Sequence, residues 1–314
     1  DPETNTWEPL DATFSGSDLI VFTLASSPEG RLVAVGRFEA VGGVPAVNVA
    51  ALELDLVSGL PETEGWTAMG TGTNSFVQAV AVGPDGSIYA GGGLTTAGGT
   101  AASRIARWDG ESWSGLGTGM NNLVNDLIVA PDGTLYATGS FSIAGGVSAL
   151  RVASWNGSMW SPLGSGLNGG AAALALAPDG TLYVGGGFSM AGGAPAANVA
   201  AWDGSAWSAL GAGIGGDVYA LAVGQDGVLY VGGEFDTAGG STNPNFAAWD
   251  GAAWSDLGAG FGSPVYDLAV GGNGVLFVAG DFSSAAGAPA SYVATWDGTA
   301  WGTLGSGLSG PAES

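Results

Sequence analysis

Residues 217–263 read DVYALAVGQDGVLYVGGEFDTAGGSTNPNFAAWDGAAWSDLGAGFGS, and this stretch decides the fold. Turn residues separate four short apolar runs, which cover 218–223, 229–235, 246–249 and 254–257. Asp-Gly pairs such as Asp250-Gly251 between apolar runs favour tight hairpin turns. The stretch therefore predicts four antiparallel strands, and it shows no helical period.

This unit recurs through the chain. Two columns of tryptophans keep a spacing of 47 residues: Trp108, Trp155, Trp202, Trp249 and Trp296, and Trp113, Trp160, Trp207, Trp254 and Trp301. A fixed period of this length indicates supersecondary modules that bury their faces against their neighbours. The predicted repeats cover 18–75, 76–122, 123–169, 170–216, 217–263 and 264–310, with a tail at 311–314. The predicted fold is all-β, a single β-propeller of six four-stranded blades, or of seven with one incomplete blade.

The repeats resemble a known family. Paired glycines follow the second strand (Gly185-Gly186, Gly232-Gly233), an aromatic residue lies on the third strand and a tryptophan on the fourth. This pattern resembles the kelch repeats of galactose-oxidase-type propellers, and the units also resemble bacterial secreted repeat proteins. Galactose oxidase uses a Tyr–Cys crosslink and His ligands to copper. The sequence has no Cys and no His, so the resemblance implies the fold and not that activity.

Residues 1–17 are predicted to form an extra N-terminal strand. They resemble a kelch fourth strand, with Trp7, Leu10 and Phe14 as its apolar residues, yet six complete repeats already follow. Three interpretations stay open. The strand would fit within its own chain, belong to an incomplete seventh blade, or pair with the edge of a second molecule and so drive self-assembly.

Charge and composition narrow the function. The chain of 314 residues carries 28 acidic and 5 basic residues, a net charge of −23. Such a surface repels nucleic acid, and no apolar run has the length of a membrane span. Without Cys and His the chain has no thiolate nucleophile and no imidazole base. These features favour an extracellular or cell-surface protein that is not an enzyme.

Two groups of residues are candidate ligand contacts. One repeat position, at the edge of the Ala-Gly-Gly loop, changes in character while its surroundings repeat, and it holds Asn48, Arg104, Arg151, Asn198, Asn245 and Tyr292. Loop edges of this kind commonly carry recognition, although drift between copies would give the same variation. Trp113 and Trp160 are expected to be the more exposed tryptophans and would stack on sugars, or else they fill the core between blades.

Carboxylates provide the remaining candidates. The Asp-Gly turns would bind Ca²⁺ or bond to their own backbone, so metal binding is left open and no other cofactor is predicted. Asp126 and Asp267 share one register position in first strands and are expected to face each other across a channel. There they would hold a cation or polar ligand, or only line a wet channel. Arginines lie in the first three repeats, whereas Glu234, Asp236 and Asp281 cluster in the last two.

The sequence thus predicts a non-catalytic binding or structural module. Its expected partners are a second copy of itself, joined through the N-terminal strand, or glycans. A lectin-like propeller that binds glycans multivalently is one alternative. A glycan-cleaving propeller that uses Asp and Glu is the other.

Overall fold

The computed structural model describes residues 13–27, 30–54, 61–258 and 260–310. They divide into two compact units, of which the first ends at Pro162 and the second begins at Leu163. Each unit contains three sheets with four strands in antiparallel order along the chain, here called sheets 1 to 3 and sheets 4 to 6. No helix in this part of the chain is long and apolar enough to cross a membrane.

The strands of the first unit are short and rich in valine, isoleucine and alanine. Sheet 1 consists of Ile20–Ser26, Arg31–Arg37, Val49–Leu54 and Pro61–Ala68; sheet 2 of Val77–Val82, Ile88–Gly92, Ile105–Trp108 and Trp113–Gly115; sheet 3 of Val124–Val129, Leu135–Gly139, Val152–Trp155 and Trp160–Pro162.

The strands of the second unit repeat this order. Sheet 4 consists of Gly170–Leu176, Leu182–Gly187, Val199–Trp202 and Trp207–Ala209; sheet 5 of Ile214–Val223, Leu229–Ala238, Phe246–Trp249 and Trp254–Ser255; sheet 6 of Val265–Val270, Leu276–Gly280, Val293–Trp296 and Trp301–Thr303. The all-β prediction is confirmed, whereas the number of blades in a closed ring stays a prediction.

Short hairpins replace the predicted surface loops between the second and third strands. Their strands are Ala40–Val41 and Val44–Pro45, Thr96–Ala97 and Thr100–Ala101, Ile143–Ala144 and Val147–Ser148, Met190–Ala191 and Ala194–Pro195, and Ser284–Ala285 and Ala288–Pro289. In sheet 5, Ser241–Thr242 pairs with the end of the second strand. Two residues with positive φ turn each hairpin, such as Gly239 and Gly240 at 61° and 84°, and in the last repeat the first of them is Ala286 at 51°. Such angles favour glycine.

The paired glycines lie within the second strand, and two separate contacts require them. A Cβ on Gly232 would lie 2.4 Å from a methyl carbon of Val265, so the first glycine lets sheet 6 approach sheet 5. A Cβ on Gly233 would lie 2.1 Å from the carbonyl oxygen of Asp217 in the neighbouring strand. Both distances are far below van der Waals contact, and the glycine pair is therefore a packing requirement.

A β-bulge interrupts each first strand beside these glycines. In sheet 5 the pairing shifts between Val218 and Ala220, which leaves Tyr219 as an extra residue. The bulge residues of the six sheets are Phe22, Gln78, Asn125, Ala172, Tyr219 and Tyr266. A bulge bends its strand and redirects the side chain of the extra residue. These positions are accordingly free to differ from sheet to sheet.

The described end of the N-terminal segment pairs within its own chain. The short strand Phe14–Ser15 pairs with Ala40–Val41, and the Phe14 ring packs at 5.0 Å from that of Phe38. The carbonyl of Thr13 accepts the N–H of Gly42, just as the carbonyl of Gly72 accepts that of Gly98 one repeat later. Phe14 therefore occupies a normal position of the repeat. Trp7 and Leu10 lie outside the described residues.

One tryptophan of each repeat ties that repeat to the previous connector. The indole N–H donates to the carbonyl 44 residues earlier, over 2.8–3.0 Å, in the pairs Trp113–Met69, Trp160–Leu116, Trp207–Leu163, Trp254–Leu210 and Trp301–Leu257. The acceptor follows the tryptophan of the preceding repeat by three residues. At the same position of sheet 1, the buried Nε1 of Trp66 has no acceptor among the described residues.

The expected exposure of Trp113 and Trp160 is wrong. Each retains only 5% of its accessible surface, because its ring lies in the core formed by its own sheet and its neighbour. Little ring surface remains for a sugar to stack on. The other tryptophan of the pair, Trp155, is also buried and packs 5.4 Å from Trp160.

We expect Trp160→Phe to lower the free energy of unfolding by more than Trp155→Phe. Both variants lose the same ring area, but only Trp160→Phe loses a hydrogen bond to the Leu116 carbonyl, which then keeps only the N–H of Gly119. The net contribution of one such hydrogen bond is about 0.5–1.5 kcal/mol. Urea denaturation of both variants measures the difference. Equal losses would contradict a special role for the hydrogen bond.

Candidate functional site

The variable loop-edge position has an unusual backbone. Asn48, Arg104, Arg151, Asn198, Asn245 and Tyr292 all have positive φ angles, from 61° to 69°. Side chains other than those of Gly, Asn and Asp are disfavoured there because Cβ approaches the following carbonyl. The C=O of each residue accepts an N–H from the end of the second strand, and its N–H donates to a carbonyl two residues further on; in Asn198 these partners are Gly186 and Phe188. This position is a left-handed residue of fixed backbone conformation, and the third strand begins after it.

Five of these six side chains bond back to the fold. The amides of Asn48, Asn198 and Asn245 donate to the carbonyls of Thr73, Ile214 and Phe261 in the next connector. The guanidinium groups of Arg104 and Arg151 donate to the carbonyls of Gly93 and Ser140. A ligand would have to compete with these bonds, and the predicted binding role of the six residues stays a prediction.

The Asp-Gly turns are closed by their own carboxylates. Asp203 accepts the backbone N–H groups of Ser205 and Ala206, and Asp250, Asp297 and Asp109 make the same pair of bonds. Asp132 and Asp179 each accept one backbone N–H from two residues ahead. Within the described ranges no three acidic residues come together as a group able to hold a metal. Binding of Ca²⁺ by single turns stays a prediction.

Asp126 and Asp267 occupy the residue after the bulge in sheets 3 and 6. Each accepts the backbone N–H of the following residue, Leu127 or Leu268. Protein atoms around Asp267 desolvate its carboxyl group and raise its pKa, although the residue keeps exposed surface. Asp126 belongs to the first unit and Asp267 to the second. That the two face each other stays a prediction.

The strand ends beside the bulges carry different chemistry in different sheets. The end of the second strand holds Arg37, Gly93, Ser140, Gly187, Glu234 and Asp281. In sheet 5 the hydroxyl of Tyr219 donates to Glu234 over 3.1 Å, and the Tyr219 ring stacks on Tyr266 at 5.9 Å. Desolvation and the neighbouring Glu234 raise the pKa of Tyr219 to about 12. This end is acidic and aromatic.

In the first unit the corresponding ends form a pocket of about 420 Å³, here called the Arg37 pocket. Arg37 lies over the ring of Phe76, with its guanidinium carbon 5.4 Å from the ring centroid. Asp18 and Glu39 add two carboxylates to the lining. Phe76 packs in turn on the bulge residue Phe22 at 6.0 Å. The lining of the pocket thus combines one cationic guanidinium group, two carboxylate acceptors and an aromatic ring.

This pocket was not predicted from the sequence. The arginines were seen to lie in the first three repeats, but no binding site was assigned to Arg37. A usable signal existed, since Arg37 stands where the next three repeats have Gly93, Ser140 and Gly187. The bulge that sets Phe22 beside Phe76 left no such signal, because an inserted residue looks like an ordinary strand residue.

We expect Asn198→Ala to destabilise the protein more than Asn198→Gly. Both variants lose the amide bond to Ile214, but only alanine is strained at a φ of 61°. The penalty for a left-handed alanine is roughly 1–2 kcal/mol, so a gap of about 1 kcal/mol between the variants is expected. Chemical denaturation measures it, and identical stabilities would show that the backbone angle is not limiting.

The Asp-Gly turns predict acid-sensitive stability. Hydrogen bonds from the backbone of Ala206 and from Ser205 lower the pKa of Asp203 below its usual 3.8. A lowered pKa in the folded state gives stability that is present above 3.8 and is lost as the pH falls through the folded value. Asp203→Asn keeps an acceptor without titrating. Its urea midpoint should therefore fall less than that of the natural chain between about pH 4 and pH 2. Parallel curves would contradict this.

Comparisons with known proteins agree on the architecture. The family model described as the Rax2 C-terminal beta propeller domain matches residues 159–313. No curated protein matches the sequence. The crystal structure of RRP9 WD40 repeats is similar, with a TM-score of 0.58 and 13% identity, over 91% of this chain and 79% of that one.

Two further solved structures are similar. YCF48 bound to D1 peptide gives a TM-score of 0.56 at 12% identity, over 94% of this chain and 84% of that one. PorZ, a bacterial surface component of the type-IX secretion system of Porphyromonas gingivalis, gives 0.55 at 15% identity, over 93% of this chain and 42% of that one. Such identities show the fold alone and do not single out kelch-type repeats. The chain is a β-propeller repeat protein.

Proposed function

We propose that this chain is a secreted or cell-surface β-propeller module that binds a ligand without catalysis, at the strand ends beside the bulges. One observation carries the proposal. Polar side chains that recur in the repeat are hydrogen-bonded to the backbone. The strand-end positions differ between sheets, and the Arg37 side chain has no hydrogen-bond partner among the described residues. The Arg37 pocket is the clearest example. A kelch-like origin of the repeats is part of this proposal.

The surface chemistry supports an extracellular setting. With 28 acidic residues, five arginines and no lysine, the surface is strongly negative. Such a surface keeps the protein soluble and tolerates salt or divalent cations. It also disfavours anionic polymers as ligands, because their phosphate or sulfate groups would be repelled at most places.

The lectin-like alternative needs a different aromatic platform from the one first expected. Trp113 and Trp160 are buried, so a sugar would have to stack on half-buried rings at the strand ends, such as Phe76 and Tyr219. Self-assembly through the N-terminal strand is less favoured, because Phe14 already pairs within its chain. A glycan-cleaving enzyme would depend on Asp126 and Asp267.

An array of glycans and peptides, probed with the natural chain and three variants, tests the proposal. Arg37→Gln and Glu234→Gln each change one strand end, and Arg31→Gln is the control because Arg31 is paired with Glu53 outside the pocket. We expect at least one ligand whose affinity falls about tenfold in a strand-end variant and not in the control. A ligand that binds all four proteins equally would place recognition elsewhere.

The same samples distinguish the alternatives. Light scattering with and without residues 1–17 should give the same solution mass if the N-terminal strand pairs within its chain. A mass that falls on deletion would favour assembly instead. Product analysis of bound glycans should show no cleavage. Cleavage that is lost in Asp126→Asn or Asp267→Asn would establish the enzyme and overturn the proposal.

A further inference from the structure

We infer that the Arg37 pocket binds a small organic carboxylate whose neighbouring groups are hydrogen-bond donors. The inference rests on the proposed function and names a ligand class for one strand end. The pocket volume of about 420 Å³ lies within the roughly 300–1,000 Å³ of small-molecule sites.

Arg37 differs from the other four arginines in having no polar partner among the described residues. Arg31 and Arg107 pair with the carboxylates of Glu53 and Asp85. The guanidinium groups of Arg104 and Arg151 are bonded to backbone carbonyls. A guanidinium group has five N–H donors, and those of Arg37 are available for a ligand.

Stacking prepares Arg37 for a planar anion. The Phe76 ring lies under the guanidinium group and holds it through a cation–π contact, so less side-chain freedom is lost on binding. The N–H groups of a guanidinium lie in its plane, at its edge. A carboxylate matches this fork with two parallel hydrogen bonds.

The other uncommitted groups of the pocket are acceptors. Neither Asp18 nor Glu39 makes a side-chain hydrogen bond or an ion pair with a described residue. An ionised carboxylate only accepts, so the part of a ligand beside it must donate, through hydroxyl groups or an ammonium group. The amide of Asn74, by contrast, is already bonded to the backbone of Thr95 and Thr96 and only shapes the wall.

The charge of the lining limits the ligand to about one carboxylate. Two carboxylates flank the single cation, and the whole chain has a net charge of −23. A second anionic group on the ligand would lie near Asp18 or Glu39 and would be repelled. Two small-molecule types meet these requirements: a uronic acid, whose donors are hydroxyl groups, and an α-amino acid, whose donor is an ammonium group.

Four probes and two variants test the inference. D-glucuronate and L-alanine each carry one carboxylate and donors, whereas glucose lacks the carboxylate and propionate is L-alanine without its ammonium group. We expect glucuronate or alanine to bind the natural chain in ligand-observed NMR at least about tenfold more tightly than either half-ligand. Arg37→Gln should weaken that binding at least about tenfold, and Arg31→Gln should leave it unchanged. The probe that binds identifies hydroxyl or ammonium donors.

Several results would overturn the inference. These are the failure of all four probes to bind, equal binding by the half-ligands, and equal binding by Arg37→Gln whose thermal unfolding shows it to be folded. If Arg37→Gln does not fold, Arg37→Lys provides the test. It keeps the charge without the planar fork and should still weaken binding. If no probe binds and an array ligand depends on Glu234, the proposed function is retained and this inference fails.

Discussion

The hydrogen bond from an indole N–H to a carbonyl 44 residues earlier holds consecutive repeats together. A sheet with one apolar face has no means of fixing its distance from the next sheet by hydrophobic burial alone, since that force has no direction. The indole bond supplies the direction. It anchors the fourth strand of one repeat on the connector that precedes its sheet, where the indole is a second donor to a turn carbonyl that also accepts a backbone N–H, as Leu116 does from Gly119.

The other repeated side chains serve the same purpose at different places. Carboxylates close the Asp-Gly turns, and amides and guanidinium groups form hydrogen bonds around the left-handed residue before the third strand. Glycines beside the bulge leave room for the neighbouring sheet. Each of these groups would be left unsatisfied, or would clash, if its residue changed freely. The proposed recognition is therefore assigned to positions that the backbone does not need, chiefly the bulge residue and the end of the second strand.

Much of the fold could be predicted from the sequence, because strand alternation and Asp-Gly turns are local signals that the 47-residue period repeats. The left-handed residue before the third strand was harder to recognise from the sequence. A set containing Asn48, Arg104 and Tyr292 looks like a variable binding position, although asparagine is the residue that best tolerates its left-handed backbone. The burial of Trp113 was not predicted, because the carbonyl that accepts its indole N–H lies 44 residues earlier in the sequence and no local pattern indicates that contact. The Arg37 pocket depends on contacts between Arg37 and Phe76, which no local pattern reveals.

The bulges explain how a repeated scaffold can present two opposite chemistries. A residue outside the ladder changes without shifting the register of its strand, so the hydrophobic face behind it stays in the core. Sheet 1 uses this freedom for Phe22, which supports Phe76 beneath a guanidinium group, and sheet 5 uses it for Tyr219 beside Glu234. One strand end is thereby suited to a carboxylate and the other to a donor. Both second strands keep a glycine at the same position, Gly36 and Gly233, where a Cβ would lie 2.1 Å from a carbonyl oxygen of the first strand.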